Sequence, residues 1–373
     1  MSKPGISVIG GLMILLSAGP AFGQAYWSEK IDIAVGATGV LQASSGMKDS
    51  LSPEGDVTDG SMSFDLELVL PVVQYGKFYS LFETGAGDGI DGDILTLTGF
   101  NDDADDDQNS RLTELWYEHI WFGARLRFRG GKVDLTTDFD ANEVANCGTD
   151  QFLSSGFVNN PAVEFPDDNG FGEMLWVSLC DLWNIGVGVA DADADWDNVF
   201  ENVFSIVELD FKPKIVESQG NFRIYSWFNG KDHERLKDPA KTKEDNYGFG
   251  LSFDQEINEV MAQFVRYGWQ RGSVSQVEHA WSAGLQCSGK LYGREADAFG
   301  LACGMAIIGH DWKDVDQMNG INSGDEHHVE LYYRFKVSKQ LNLSLDIQRV
   351  KNPNSDREND DVWALGMRVQ LFF

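Results

Sequence analysis

Three stretches at the C-terminal end decide the fold: Glu326-His-His-Val-Glu-Leu-Tyr-Tyr-Arg-Phe-Lys336, Leu341-Asn-Leu-Ser-Leu-Asp-Ile-Gln-Arg-Val350 and Val362-Trp-Ala-Leu-Gly-Met-Arg-Val-Gln-Leu-Phe-Phe373. In the first, Val329, Leu331, Tyr333 and Phe335 alternate with His328, Glu330, Tyr332 and Arg334. In the second, Leu341, Leu343, Leu345 and Ile347 alternate with Asn342, Ser344, Asp346 and Gln348. The last sets Trp363, Leu365, Met367, Val369, Leu371 and Phe373 against Ala364, Gly366, Arg368 and Gln370. Period two marks strands with unlike faces, and a soluble sandwich would show it as well. Strand length, loop spacing and the position of the aromatic rings tell the two apart.

Working outward, sixteen strand-like segments fall near 31–42, 61–72, 75–84, 111–121, 124–133, 171–180, 183–191, 199–211, 219–229, 245–254, 258–270, 278–288, 296–308, 326–336, 340–350 and 362–373. Most are about 9–12 residues, the length a tilted strand needs to cross a bilayer. Connections after even-numbered segments are mostly tight, as at Val73-Gln74, Phe122-Gly123 and Asp181-Leu182. Those after odd-numbered segments are mostly long, and Asp134 to Gly170 is the longest. An even strand count with short turns on one side and long loops on the other describes a 16-stranded antiparallel transmembrane β-barrel of the outer-membrane type. Aromatics at segment ends, such as Trp121 and Phe122, Trp227 and Phe228, Tyr267 and Trp269, fit the two interfacial girdles. The expected orientation puts the chain ends in the periplasm and 101–107 outside the cell.

Composition agrees. Forty glycines and nine prolines suit many turns and bending strands. Mean hydropathy is −0.27, low for a helical membrane protein but suited to strands of which alternate residues meet water. Residues 1–23 read as a secretory signal peptide: Lys3, an apolar run from Gly5 to Ala18, and small Ala21 and Gly23 before a cleavage point at Gln24. A retained anchor helix is the alternative. Residues 24–373 then form one barrel domain, with no Pro- or Ser-rich linker inside it.

The formal charge of −30 argues against nucleic acid as a partner, since that needs basic surface. Much of the acidity lies in Asn101–Asp107 and Asp191–Asp197. These runs read either as solvated faces or as cation binders among surface lipopolysaccharide. The second run lacks the Gly and the closing Glu of a calcium loop. Cys147, Cys180, Cys287 and Cys303 allow three pairings. A hairpin centred near Tyr292 puts Cys287 opposite Asp297, too far from Cys303 for a disulfide. Both then read as lipid-facing apolar side chains. No Cys-x-x-Cys occurs, and the six histidines fall in no nucleophile or metal spacing. No metal, cofactor or catalytic residue is expected.

Several motifs resemble the carbohydrate-selective porins of the OprB type. They are Gly131-Lys132-Val133-Asp134, Phe139-Asp140-Ala141-Asn142, Gln151-Phe152-Leu153 and Asn159-Asn160-Pro161-Ala162, then Gly293-Arg294 with Asp297 and Gly300. Near the end come Asp346-Ile347-Gln348, Asn352-Pro353 and Gly366-Met367-Arg368. The chain is short for that family and its loops are unusually acidic. The resemblance implies passive uptake of small sugars through a 16-stranded pore in the bacterial outer membrane, as a monomer or a homotrimer. A general or anion-selective porin is the alternative.

Sixteen strands leave a water-filled lumen, and selectivity comes from whatever narrows it. Arg125, Arg127 and Arg129 share one face of the fifth segment, and Glu114, Trp116 and Glu118 share one face of the fourth. Charges on the lipid side cost about 2–4 kcal/mol each near the midplane, so both sets are expected to point inward. They suit hydrogen bonding to sugar hydroxyls and stacking on a sugar face; bracing the wall as ion pairs is the structural alternative. The loop 134–170 carries Phe139, Phe152, Phe157 and Phe165, too apolar for a free connector. It is expected to fold inward and form the constriction, with Asp138, Asp140, Asn142 and Gln151 as polar lining; packing over the rim is the other possibility.

Overall fold

The computed structural model describes residues 31–46, 55–104, 108–166, 168–196, 198–199, 201–215 and 218–373. The signal-peptide reading of 1–23 lies outside them. The wall is built from β1 (Asp32–Ser45), β2 (Thr58–Val73), β3 (Gly76–Ala86), β4 (Arg111–Trp121), β5 (Leu126–Lys132), β6 (Phe171–Cys180), β7 (Trp183–Asp191) and β8 (Val203–Phe211). After a two-residue strand, β9 (Lys214–Ile215), it continues through β10 (Ser218–His233), β11 (Glu244–Glu256), β12 (Met261–Gln270), β13 (Val277–Gly289), β14 (Arg294–Ile308), β15 (Glu326–Lys336), β16 (Leu341–Lys351) and β17 (Val362–Phe372). Apart from β8 and β9, each strand pairs antiparallel with the next; β8 pairs with β10, and β1 pairs with β17 from Gly36↔Phe372 to Ser45↔Trp363. The sheet closes, sixteen strands in the round, with β9 only a ribbon against the start of β10. Every expected segment is a strand. The eighth begins at Val203, not 199, and the first two run further than expected.

Burial is inverted relative to a soluble protein. On β16, Asn342, Ser344, Asp346 and Gln348 are at most 3% exposed, whereas Leu345 is 55% exposed. On β17, Ala364 and Arg368 are buried, while Trp363, Leu365 and Met367 stand outside. This is the arrangement of a barrel whose solvent on the outside is lipid. At the short-turn rim, rings of neighbouring strands form a continuous run: Trp183–Phe211 at 4.4 Å, Phe211–Phe222 at 6.4 Å and Phe222–Phe253 at 5.2 Å between centroids. Tyr247, Phe249 and Trp269 form the matching group near the other rim.

All four thiols are unpaired; for Cys287 and Cys303 this was expected, but the register behind that expectation is corrected. A bulge at Ser288–Gly289 sets Cys287 opposite Phe299, and Cys303 opposite Ala283. Cys147 sits in the inward loop instead of on the wall.

The chain ends by hydrogen bonding across the seam. The Phe373 amide donates to Val35 O at 2.9 Å, and the Val35 amide to Phe373 O at 3.0 Å. Deleting Phe373, or replacing Leu371 by Asp on the closing strand, should lower the yield of heat-modifiable barrel in outer-membrane fractions more than any single lumen substitution. A wild-type yield from the deletion would show that closure does not depend on this end.

Candidate functional site

The passage is shaped by two loops that leave the wall and run inside it. The first, residues 133–170, departs where β5 stops after only seven residues. Gly131 has φ 142°, and a Cβ there would stand 2.3 Å from Leu115 O, so glycine is what allows the chain to peel off. The loop then crosses the lumen and carries a short helix, α1 (Ser155–Val158). Phe139, Phe152 and Phe157 are at most 1% exposed. Phe152 packs on Phe157, Phe264 and Tyr332 with centroids 5.0–5.8 Å apart. Burying such a ring contributes about 1.5–3 kcal/mol. The wall makes room for the loop: a Cβ on Gly188 would meet Phe139 at 2.7 Å.

Polar side chains of the far wall hold this loop by its backbone. Arg266 on β12 donates to Phe157 O at 2.6 Å, to Asp140 O at 2.8 Å and to Asp140 Oδ1 at 3.2 Å. Glu330 on β15 accepts the Leu153 and Ser154 amides at 2.6 and 3.0 Å. Arg368 on β17 donates to Gly148 O, and to Gln151 O at 2.8 Å.

The second inward loop, 87–110, was expected to carry its acidic run outside the cell. Its described residues 101–104 fold inward with the loop instead of standing free of the barrel. Ile90, Ile94 and Phe100 are fully buried against Val350, Val362 and Ala364. Thr98 donates to Glu326 at 2.6 Å, and the Asp102 amide to Leu153 O at 2.7 Å. The apolar residues every few positions before the acidic run were the overlooked signal.

Between the first loop and the near wall stands a charged cluster. Glu118 on β4 accepts from Arg129 at 3.0 Å and lies 3.4 Å from both Arg127 and Lys77. Asp138, from the inward loop, pairs with Arg127, and with Arg129 at 2.7 Å. Burial alone would raise the Asp138 carboxyl, but Arg129 and Arg127 together hold it below its ordinary value, so it stays ionised. Arg127 and Lys77 are the open members, with side chains 28% and 29% exposed.

Of the ten residues singled out from sequence, Glu118, Arg127, Arg129 and Asp138 come together here. Trp116 joins them but is closed to a ligand: Arg129 covers one face at 4.0 Å, and Tyr79 stacks on it at 4.6 Å. Glu114 lies behind, accepting Trp116 Nε1 at 2.8 Å, and so orients that ring. Arg125 is a correction: it lies exposed in the turn before β5, outside the cluster. Asp140, Asn142 and Gln151 are corrections too. All three are buried and brace the loop, Asp140 on Arg266 and Tyr225, Asn142 on Ser252 at 3.2 Å, and Gln151 on Asn146 and Glu143. Lys77, Tyr79 and Trp176 went unread. The first two lie directly across from Glu118 and Trp116, a pairing that only the β3–β4 register exposes. Trp176 is half-buried, 5.1 Å from Phe139 and 5.8 Å from the Arg127 guanidinium.

The loop leaves a cavity of about 1340 Å³ on the short-turn side, lined by residues such as Asp65, Asp150, Arg334 and Asn342. A smaller one of about 480 Å³ lies on the other side, between Pro161–Pro166 of the loop and Gln270–Val277. Along β2 and β3, half-buried Asp65, Glu67 and Glu83 extend the near wall beside the cluster.

A family model described as carbohydrate-selective porin, OprB family, matches residues 50–373. Porin B of Pseudomonas aeruginosa is 21% identical over 318 residues, covering 71% of this chain and 69% of that one. A protein of Aquifex aeolicus without an assigned function is 25% identical over 244 residues, 65% of this chain and 62% of its own length. Among solved structures, the high-pH form of Pseudomonas putida OprB superposes with a TM-score of 0.78 at 16% identity, covering 92% of this chain and 94% of the other. The low-pH form scores 0.57 over 92% of each chain.

Proposed function

We propose that this chain, which belongs to the carbohydrate-selective porin family OprB, gives small neutral sugars passive passage across the bacterial outer membrane. Family and fold are those of a channel rather than an enzyme. The proposed path runs between the inward loops and the wall formed by β2 to β5, and residues 1–23 direct export. The long-loop rim then faces lipopolysaccharide.

One observation supports this reading: beside the inward loop, Lys77, Arg127 and Arg129 stand against Glu118 and Asp138 within a few ångströms. A nearly balanced cluster offers dense donors and acceptors to hydroxyl groups while giving neither sign of ion a clear advantage. Half-buried Tyr79 and Trp176 add ring edges beside it. A general or anion-selective pore is the second reading, supported by the one-charge excess of cations in the cluster.

Liposome swelling with matched panels of sugars, zwitterionic amino acids and small anions separates the two. Sugars should enter faster than amino acids of equal size. Equal rates ordered by mass alone would favour a general pore.

A further inference from the structure

The loop between β7 and β8 starts at Asp191-Ala-Asp-Ala-Asp195. Carboxylate oxygens of Asp191, Asp193 and Asp195 all lie within 4.8 Å of one another. Oxygens bound to one calcium ion stand at most about 5 Å apart, twice the metal–oxygen distance of about 2.4 Å, so one ion fits all three. Proximity alone is common among acidic loops. What sets this cluster apart is Asp191, which is 1% exposed and whose Oδ1 is enclosed without a hydrogen-bond donor. Its other oxygen accepts the Trp196 amide at 3.3 Å. The Asp193 carboxylate lies within hydrogen-bonding reach of Asp191, and is itself fixed by Asn202 Nδ2 at 2.6 Å. Asp191 thus buries one oxygen without a donor while its carboxylate lies beside a second one, an arrangement that calls for a positive partner.

We propose that Asp191, Asp193 and Asp195 form a divalent-cation site of the calcium type that braces the outer end of the inward loop. The position gives the site its consequence. Gly170, the last residue of that loop, lies against it: a Cβ there would stand 3.1 Å from Asp191 Cβ and 3.1 Å from Ala194 Cα. The Gly170 carbonyl accepts the Val133 amide at 3.2 Å, so the same residue closes the base of the loop. Ala192 packs in one apolar cluster with Val133 and Phe139. An ion here ties the β7–β8 loop to the point where the constriction loop rejoins the wall. Oxygen ligands, two or three of them charged, select a hard cation.

Trp196, next to Asp195 and 49% exposed, supplies a reporter. The purified full-length barrel in detergent would be titrated with Tb³⁺ under tryptophan excitation, then with Ca²⁺ as competitor. Saturable emission displaced by Ca²⁺ is expected, with a calcium dissociation constant of about 10⁻⁴–10⁻³ M, the range of extracellular modules. Asp193→Asn should weaken it about tenfold or more, as fits a change in ligand charge count. Asp102→Asn with Asp103→Asn should leave it unchanged. Trp196→Phe should dim the emission while leaving competition by calcium intact, a check that does not disturb the ligands. Unsaturable emission, or a curve that Asp193→Asn and Trp196→Phe both leave alone, would overturn the site and leave the carboxylates sharing a proton.

Discussion

Replacing Arg127 and Arg129 together by alanine is expected to make the pore strongly cation-selective and to flatten its discrimination among sugars. The double variant leaves Glu118 and Asp138 facing Lys77 alone, so the cluster passes from an excess of positive to an excess of negative charge. A unit charge about 4 Å from a passing ion is worth about 4 kcal/mol at an effective dielectric constant of about 20, several times thermal energy. Exposed acidic loops act from further away and through more salt, so the lumen charges dominate. Loss of Arg129 also uncovers the upper face of Trp116. Reversal potentials in planar bilayers under a KCl gradient would read the first effect, and swelling rates for sugars the second. Arg125→Ala serves as the control, because that side chain lies in the exposed turn. If the double variant matched Arg125→Ala in both measurements, the cluster would not line the path.

The second large effect is expected from Arg266→Ala. Both Arg266 and Asp140 are almost fully enclosed, with side chains 1% and 0% exposed. The guanidinium also holds the backbone of Phe157 and the Asn146 side chain. Removing one partner of a buried ion pair costs about 3–5 kcal/mol, because the other charge is stranded. Placed on the loop rather than the wall, that cost shifts the balance between docked and released loop by about two to four powers of ten. The barrel should still form and resist heat, while single-channel conductance rises several-fold and becomes noisy. A double variant, Arg266→Ala with Asp140→Ala, removes the stranded charge and should recover part of the docked state. A quiet, wild-type conductance in Arg266→Ala would place the loop's anchorage elsewhere.

Strand count, closure and the inward loop were legible because each leaves a periodic or compositional trace. Alternating residues from Leu341 to Gln348 need only one face to meet lipid and the other the lumen. The phenylalanines of 139–157 need cover, and a barrel offers it only inside. Roles within the lumen were harder to read. Asp138 and Asp140 are two residues apart in the same acidic stretch, yet one meets the open cluster and the other a sealed pocket. That difference is made by Arg266, more than a hundred residues later. Arg125 continued the spacing of Arg127 and Arg129, but β5 begins one residue after it. Lys77 and Tyr79 acquire meaning only once β3 and β4 are in register.

The grip of Arg368 on the inward loop has a consequence for biogenesis. Arg368 belongs to the last strand, yet its partners Gly148 and Gln151 are 220 and 217 residues earlier in the chain. Contacts of such separation form late, because the entropy of closing so long a segment is met only once most of the structure exists. The strand that zips against β1 to seal the wall is therefore also the one that latches the gate. An assembly intermediate lacking β17 has no seam and lacks this hold on the loop, leaving it to anchors on earlier strands such as Arg266 and Glu330. Sealing of the wall and this last hold on the filter loop thus arrive together at the end of insertion, because one strand supplies both.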